Sequence, residues 1–222
     1  MKRKIVISTG EYYHVYNRGV EKRDIFIDHV DYRRFILLLN LFNEEKSVNV
    51  RDIKEKCYPR RPTLWMAKSR ESLTDIGAYC LMPNHFHFLI KETKEGGIRD
   101  FMHKLTTGYT MYFNKRYKRV GPLFQGTFKS EHANTDEYLK YLYSYIHLNP
   151  VKLIQPDWKE KGIGDLEKAK KFLRDYEYSS YLDYHDPKIF SSEVINKKSF
   201  PEYFSSVNDC DQNIFDWMEF EK

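Results

Sequence analysis

The sequence predicts an α+β fold built on a four-stranded antiparallel sheet. Over the first 150 residues, segments with strand-like patterns alternate with segments of helical periodicity, in the order β-α-β-β-α-β followed by one more helix. That order is typical of the split βαβ, ferredoxin-like arrangement, with helices on one face of the sheet. We therefore expect a domain over residues 1–150 and a C-terminal helical extension over residues 151–222 packed on it.

The first strand and helix are predicted from composition and spacing. Residues 12–18 are rich in aromatic and β-branched side chains, which favours a strand. Asp28 or Asp31 can cap the following helix. The apolar residues of this helix form a wide stripe made by Phe35, Ile36, Leu38, Leu39 and Phe42. Residues 43–72 are charged and irregular, and we interpret them as an insertion to which the sequence assigns no role.

A β-hairpin is predicted in the middle of the domain. Residues 74–81 and 85–91 read as two strands, and the Pro83-Asn84 pair between them favours a turn. Gly96-Gly97 then precedes a second helix, predicted from about Arg99 to Tyr117.

The last strand and helix of the domain complete the series. Residues 124–133 are predicted as the fourth strand, and Pro150 must end the third helix close to Asn149. Three polar residues can cap that helix at its start, namely Asn134, Thr135 or Asp136.

The composition suits a nucleic-acid partner. The 222 residues include 37 Lys and Arg, 18 Tyr and 15 Phe, with a formal net charge of +5. Cations meet phosphates and rings stack on bases, although a slightly basic enzyme with an aromatic core has the same composition. The three cysteines, Cys57, Cys80 and Cys210, have no ligand spacing, so neither a disulfide scaffold nor a cysteine zinc site is indicated. Because no segment resembles a signal peptide or a membrane span, we expect a cytoplasmic protein without a membrane partner.

Two histidines one residue apart open the second strand of the hairpin. Alternate residues of a strand point to the same face, so His85 and His87 can converge on one divalent ion while Phe86 and Phe88 face the core. The same spacing also fits a partly buried polar stripe that binds no metal. A third ligand is needed to favour the metal site over this alternative.

The third ligand and a nucleophile are predicted on the last helix of the domain. Tyr145 and Asn149 are four residues apart and share a helical face. Imidazoles together with an amide oxygen suit Mg²⁺ or Mn²⁺ and disfavour a closed zinc site. Tyr145 could then attack a phosphate bound at the ion. Tyr141 lies one turn earlier on the same face, which leaves a two-tyrosine arrangement open.

Basic residues predict a DNA-binding surface. The end of the second helix carries Lys115, Arg116, Lys118 and Arg119, and Gln125 and Lys129 follow in the next segment. Arg18 ends the first strand and can reach phosphate or a base edge. Basic groups at a helix C-terminus also complement the helix dipole and are often simply solvated. A purely structural role for these residues is therefore as well supported as DNA binding.

Four motifs, in order along residues 11–185, resemble the HUH single-tyrosine transposases and within them the REP-associated tyrosine transposase group. They are Tyr16-Asn17-Arg18-Gly19, Met82-Pro83-Asn84-His85-Phe86-His87, Gly121-Pro122-Leu123-Phe124-Gln125-Gly126 and Tyr145-Ile146-His147-Leu148-Asn149-Pro150-Val151. Tyr178-Ser179-Ser180-Tyr181 is similar to the C-terminal signature of that group.

The resemblance implies a metal-dependent endonuclease and strand transferase acting on single-stranded or hairpin DNA. By analogy, Tyr145 forms a 5′-phosphotyrosine link, His85 and His87 bind the metal, and Asn149 occupies the place of the helix-borne polar ligand. Some relatives exchange the tyrosine helix between subunits, so both a monomer and a homodimer are consistent with it. The insertion and the acidic tail after Ser191 match nothing in the family.

Two other functions compete with this prediction. A non-cleaving binder of DNA hairpins would keep the fold and the basic surface but form no metal-dependent product. A metal-dependent hydrolase of small phosphoesters would need a base to activate water, and the predicted site supplies no carboxylate for it.

Overall fold

The computed structural model describes residues 6–46, 50, 72–185, 194–204 and 206–220. Its strands are β1 (Tyr12–Arg18), β2 (Thr74–Met82), β3 (His85–Glu92) and β4 (Lys129–His132). The domain helices are α1 (His29–Leu41), α2 (Gly97–Arg116) and α3 (Asp136–Leu148). Four more follow, α4 (Trp158–Lys161), α5 (Leu166–Asp175), α6 (Tyr181–His185) and α7 (Val207–Phe220).

The sheet has the predicted topology. Its strand order is β2-β3-β1-β4, and each neighbouring pair runs antiparallel. The two central strands are β1, the first strand of the chain, and β3, the second strand of the hairpin. Their pairing places Tyr16 directly across from His87. The α+β, ferredoxin-like prediction is confirmed.

Helices α1 and α2 cover one face of the sheet. Alternate residues of β3, including Phe86, Phe88 and Ile90, are fully buried against Phe35 and Tyr109 of these helices. Helix α1 begins at the predicted cap, because the Asp28 carboxylate accepts the backbone N–H groups of Val30 and Asp31.

Helix α3 covers the opposite face. It is capped by Thr135, whose hydroxyl accepts the N–H of Tyr138, and it buries Leu142 and Ile146 against the β3 residue Leu89. The prediction of helices on one face thus holds for α1 and α2 but not for α3. The reason is that this face also carries buried apolar residues, Ala78, Cys80 and Met82 of β2 and Leu89 of β3, which need a cover.

The fourth strand is shorter than predicted. The sequence analysis extended it from Phe124 to Ala133, whereas the ladder with β1 spans only Lys129–His132. Gly121 and Gly126 have φ of 86° and 70°, and the chain bends at this loop instead of extending. Phe124 forms an isolated bridge with Gly19.

The C-terminal residues pack along β2 and α3. Leu81 donates its backbone N–H to Tyr178, and Ser180 donates its own to Tyr79, so this segment lines the outer edge of the sheet. Leu148 and Val151 share one apolar cluster with α5 and α7, and the division at residue 150 stays a prediction. Most of the predicted insertion 43–72, and part of the acidic tail, lie outside the described residues. Among the helices that the structure describes, none is both long and apolar enough to span a bilayer.

Candidate active site

The two histidines of β3 lie on the face of the sheet that α3 covers. Because β3 alternates, His85 and His87 point opposite to Phe86, and their ring centroids are 5.0 Å apart at an interplanar angle of 89°. His87 is 6% exposed and His85 is partly buried. The imidazole of His85 contacts the Asn84 side chain, with 2.6 Å between Nδ1 and the amide oxygen, which leaves Nε2 available.

Helix α3 brings Tyr145 to these rings. Its ring centroid is 5.5 Å from that of His87, nearly perpendicular at 86°, and it is partly exposed. Tyr141 packs one turn away, 5.8 Å from Tyr145. His147 points elsewhere, because it is fully buried with its Nε2 2.8 Å from the Ser180 hydroxyl.

Asn149 continues the face of α3 beyond the end of that helix. Its backbone keeps right-handed helical angles, φ −51° and ψ −39°, in the 3-10 turn Asn149–Leu153. The side-chain amide donates to the backbone carbonyl of Tyr145 at 2.8 Å. The amide oxygen is buried and has no hydrogen-bond partner among the residues that the structure describes. A buried oxygen that accepts no hydrogen bond is a candidate ligand for a metal ion.

Two side chains that the sequence analysis did not assign complete the site. His14 of β1 lies beside His87, with 2.8 Å between His14 Nε2 and His87 Nδ1, and its ring is 5.5 Å from Tyr145. Glu131 of β4 is directly across from His14, with 3.8 Å between its Oε2 and His14 Nδ1. A carboxylate that the sequence did not indicate thus lies next to the predicted histidines. The alternation of Tyr13, His14 and Val15 was the available signal, since it separates His14 from the core face.

The C-terminal residues bring positive charge to Tyr145. The Lys159 ammonium, from α4, lies 4.6 Å from the ring centroid of Tyr145. Lys152 is close enough to His85 and His87 to disfavour their protonation. No local sequence pattern predicts a role for either lysine, because only the fold of the chain after Pro150 brings them to the site.

The imidazoles at this site are held neutral. Burial, together with the charges of Lys152 and Arg18, lowers the pKa of His85 to about 4. Burial and the neighbouring His14 and His85 lower the pKa of His87 well below its ordinary value. Neutral imidazoles are the form that binds metal ions.

The donor set fits a divalent ion with mixed nitrogen and oxygen ligands. Within the described residues, no three His, Cys, Asp or Glu side chains gather around a common point, so such an ion would need the Asn149 amide oxygen. The residues that could hold it are His85, His87 and Asn149, as the sequence predicts. One amide oxygen and two neutral imidazoles match Mn²⁺ or Mg²⁺ better than a structural zinc.

Three of the predicted DNA contacts border the site. Arg18 is exposed at the end of β1, opposite His85 in the ladder, and its guanidinium contacts the Gln125 side chain. Lys129 of β4 is exposed across from Tyr16, with its ammonium 5.9 Å from that ring. These positions are compatible with a DNA strand that enters the site past the end of β1.

The basic cluster at the end of α2 lies on the other face of the sheet. Lys115 and Lys118 are exposed, while Arg119 donates to the Asn114 side chain at 2.7 Å. Arg116 pairs with Asp28 at 2.8 Å and with the fully buried Asp31 at 3.1 Å. The prediction for Arg116 is thereby corrected, because its guanidinium clamps α1 to α2.

Comparisons with known proteins identify a family and similar solved structures. The family model described as "Transposase IS200 like" matches residues 38–149, half of the chain. A comparison with curated proteins finds no match. Among solved structures, a REP-associated tyrosine transposase, described as bound to a REP hairpin, is similar with a TM-score of 0.47 and 14% identity. The similarity covers 92% of this chain and 99% of the other. With a family model matched across β2, β3, α2, β4 and α3, the chain belongs to the IS200-like transposases.

Proposed function

We propose that this transposase-family protein is a metal-dependent endonuclease and strand transferase that acts on single-stranded or hairpin DNA through a 5′-phosphotyrosine intermediate. The observation that carries the proposal is the placement of Tyr145. Its ring is partly exposed, contacts both His14 and His87, and stands one helical turn before the unpartnered amide oxygen of Asn149.

The proposed step is an in-line displacement at phosphorus. The phenol oxygen of Tyr145 forms a bond to the scissile phosphorus, and the bond from phosphorus to the 3′ oxygen breaks. The proton that the phenol gives up is balanced by the proton that the departing 3′ oxygen takes up, so the products are a 5′-phosphotyrosine and a 3′-hydroxyl. Because the phosphodiester energy is kept in the tyrosine ester, the reverse attack by a second 3′-hydroxyl rejoins strands.

The side chains around Tyr145 have distinct tasks in this step. Lys159 places a cation 4.6 Å from the ring centroid, where its charge would stabilise the negative charge that the attacking phenol oxygen develops. His85, His87 and Asn149 would hold Mg²⁺ or Mn²⁺. A bound ion of this kind polarises the phosphate and offsets the charge that builds in the transition state.

The DNA surface of the proposal consists of Arg18, Gln125 and Lys129 beside the site, with Lys115, Lys118 and Arg119 at the end of α2. All six are polar or basic, and all but Arg119 are exposed. The two cations beside the aromatic site, Arg18 and Lys129, suit a flexible single strand, whose backbone they would neutralise.

A covalent-adduct assay tests the proposal. Protein is incubated with Mn²⁺ and single-stranded hairpin DNA labelled at its 3′ end, the end that stays attached to the protein, and the labelled protein is resolved under denaturing conditions. We expect an adduct that chelation of the metal and Tyr145→Phe both abolish. Tyr141→Phe is the matched control, because this ring lies one turn away on the same face, and it should keep the adduct.

The outcomes separate the alternatives. An undiminished adduct in Tyr145→Phe overturns the assignment of the nucleophile, and loss in both variants indicates the two-tyrosine arrangement. Salt-sensitive hairpin binding without any adduct in the unaltered protein indicates a non-cleaving binder instead.

A further inference from the structure

A chain of three polar side chains crosses the sheet beneath the proposed metal site. His14 Nε2 and His87 Nδ1 are 2.8 Å apart, their rings are stacked with centroids 5.0 Å apart, and both are buried. On its far side, His14 Nδ1 faces the Glu131 carboxylate at 3.8 Å. The proposed function gives neither His14 nor Glu131 a task.

Counting protons shows that this chain has two possible arrangements. Two neutral imidazoles each carry one N–H, and only one of them can donate in the contact between His14 and His87. If His14 donates, its Nδ1 turns a lone pair towards a carboxylate, and the remaining proton of His87 must lie on Nε2. If His87 donates from Nδ1, the N–H of His14 faces the carboxylate and His87 Nε2 carries a free lone pair.

The position of Glu131 favours the second arrangement. The Tyr16 hydroxyl donates to one carboxylate oxygen at 2.7 Å and the Tyr138 hydroxyl donates to the other at 3.2 Å, so the carboxylate is fixed beside His14. The distance of 3.8 Å is longer than a hydrogen bond, so Glu131 acts on the His14 ring through its charge. A negative charge attracts an N–H and repels a lone pair.

We propose that His14 is a positioning residue that accepts the Nδ1 proton of His87, in a tautomer selected by Glu131, and so presents the His87 Nε2 lone pair to the divalent ion. His85 is held in the same tautomer by a single neighbour. Its Nδ1 contacts the amide oxygen of Asn84, which can only accept a hydrogen bond, so the proton of His85 lies on Nδ1. Both imidazoles of the pair then offer Nε2. The inference rests on the proposed function where it assumes a bound ion. The tautomer of His87 does not depend on that function.

The tautomer is measured first, on the metal-free full chain. Nitrogen-15 labelling of histidine and two-bond correlation spectra distinguish the two tautomers, and the loss of signals in His87→Gln assigns the ring. We expect His87 to carry its proton on Nδ1, and Glu131→Gln to raise the Nε2–H population. Glu11→Gln is the matched control. Glu11 contacts His132, the neighbour of Glu131 on β4, at 2.8 Å, so this substitution should leave the tautomer of His87 unchanged.

Metal affinity is the second readout. By electron paramagnetic resonance titration of Mn²⁺, His14→Phe should weaken binding about 10- to 100-fold, as is usual when the partner of a ligating histidine is lost. His14→Gln keeps an acceptor oxygen and should recover part of this loss. If His14→Phe does not fold, Glu131→Gln at a half-exposed position provides the same test with a smaller expected loss.

The results distinguish failure of the inference from failure of the proposed function. A His87 proton on Nε2 in the unaltered protein, or Mn²⁺ affinity unchanged in His14→Phe, overturns the positioning role. An unaltered protein with the expected tautomer that binds no Mn²⁺ and forms no adduct overturns the proposed function alone.

Discussion

The ring of Tyr145 stands edge-on against the ring of His87, with centroids 5.5 Å apart and planes at 86°. One residue comes from a helix and the other from the central strand beneath it, so the contact depends on how α3 packs on the sheet. Helix α3 can bring its phenol there because Leu142 and Ile146, on its adjoining face, are buried against the same sheet face. The apolar packing of α3 thus sets the position of Tyr145 relative to the histidines.

Replacing Asn149 by Ala should weaken Mn²⁺ binding at least about tenfold, because a buried oxygen ligand is lost. The change also removes the hydrogen bond from the amide to the Tyr145 carbonyl, worth about 1 kcal/mol of unfolding free energy. Titration of Mn²⁺ by electron paramagnetic resonance measures the affinity. Asn149→Asp keeps an oxygen and should keep the binding; equal affinity in Asn149→Ala would remove this residue from the ligand set.

Replacing Lys159 by Met should slow formation of the covalent adduct about tenfold, which corresponds to about 1.4 kcal/mol in the barrier. The reason is that Lys159 is the cation placed over the Tyr145 ring, at 4.6 Å, and its loss removes a charge that would stabilise the attacking phenol oxygen. Single-turnover rates of adduct formation at saturating Mn²⁺ measure the effect.

The control for Lys159 lies on the same short helix. Lys161 pairs with Asp157 at 2.6 Å and its side chain is 74% exposed, so Lys161→Met should leave the rate unchanged. Equal rates in both variants would show that the charge near Tyr145 has no part in the step.

Sequence periodicity was sufficient to predict the residues that lie on single elements. His85 and His87 follow the two-residue period of a strand, and Tyr145 and Asn149 follow the turn of a helix, so each pair is fixed by local geometry. The order of strands and helices along the chain was sufficient to predict the four-stranded antiparallel sheet that the structure contains.

Features that depend on strand register or on long-range packing were missed. His14 reaches His87, and Glu131 reaches His14, only through the pairing of β1 with β3 and β4. The face chosen by α3 and the early bend that shortens β4 also depend on tertiary packing, which overrides local preference. Arg116 was misassigned because a charge pattern does not reveal the buried carboxylate of Asp31.

Replacing Arg18 by Ala should weaken hairpin binding and reduce the slope of log affinity against log salt concentration by about 1. Arg18 is exposed opposite His85 at the end of β1, where the proposed DNA strand passes. Binding isotherms at several salt concentrations give the slope. Arg99, an exposed arginine near the N-terminus of α2, serves as the control, and Arg99→Ala should change neither quantity. A uniform loss in both variants would indicate a general charge effect.

Lys115 and Arg116 are neighbours in sequence, yet they should respond in opposite ways to replacement by Met. Arg116→Met leaves the fully buried Asp31 carboxylate without its ion pair, so the free energy of unfolding should fall by about 3 kcal/mol, while hairpin affinity of the folded protein is unchanged. Lys115 is exposed, so Lys115→Met should leave stability within about 0.5 kcal/mol but reduce hairpin affinity at low salt. Urea unfolding and fluorescence binding measure the two quantities. If Arg116→Met instead reduced affinity without loss of stability, its ion pairs would not be what holds α1 to α2.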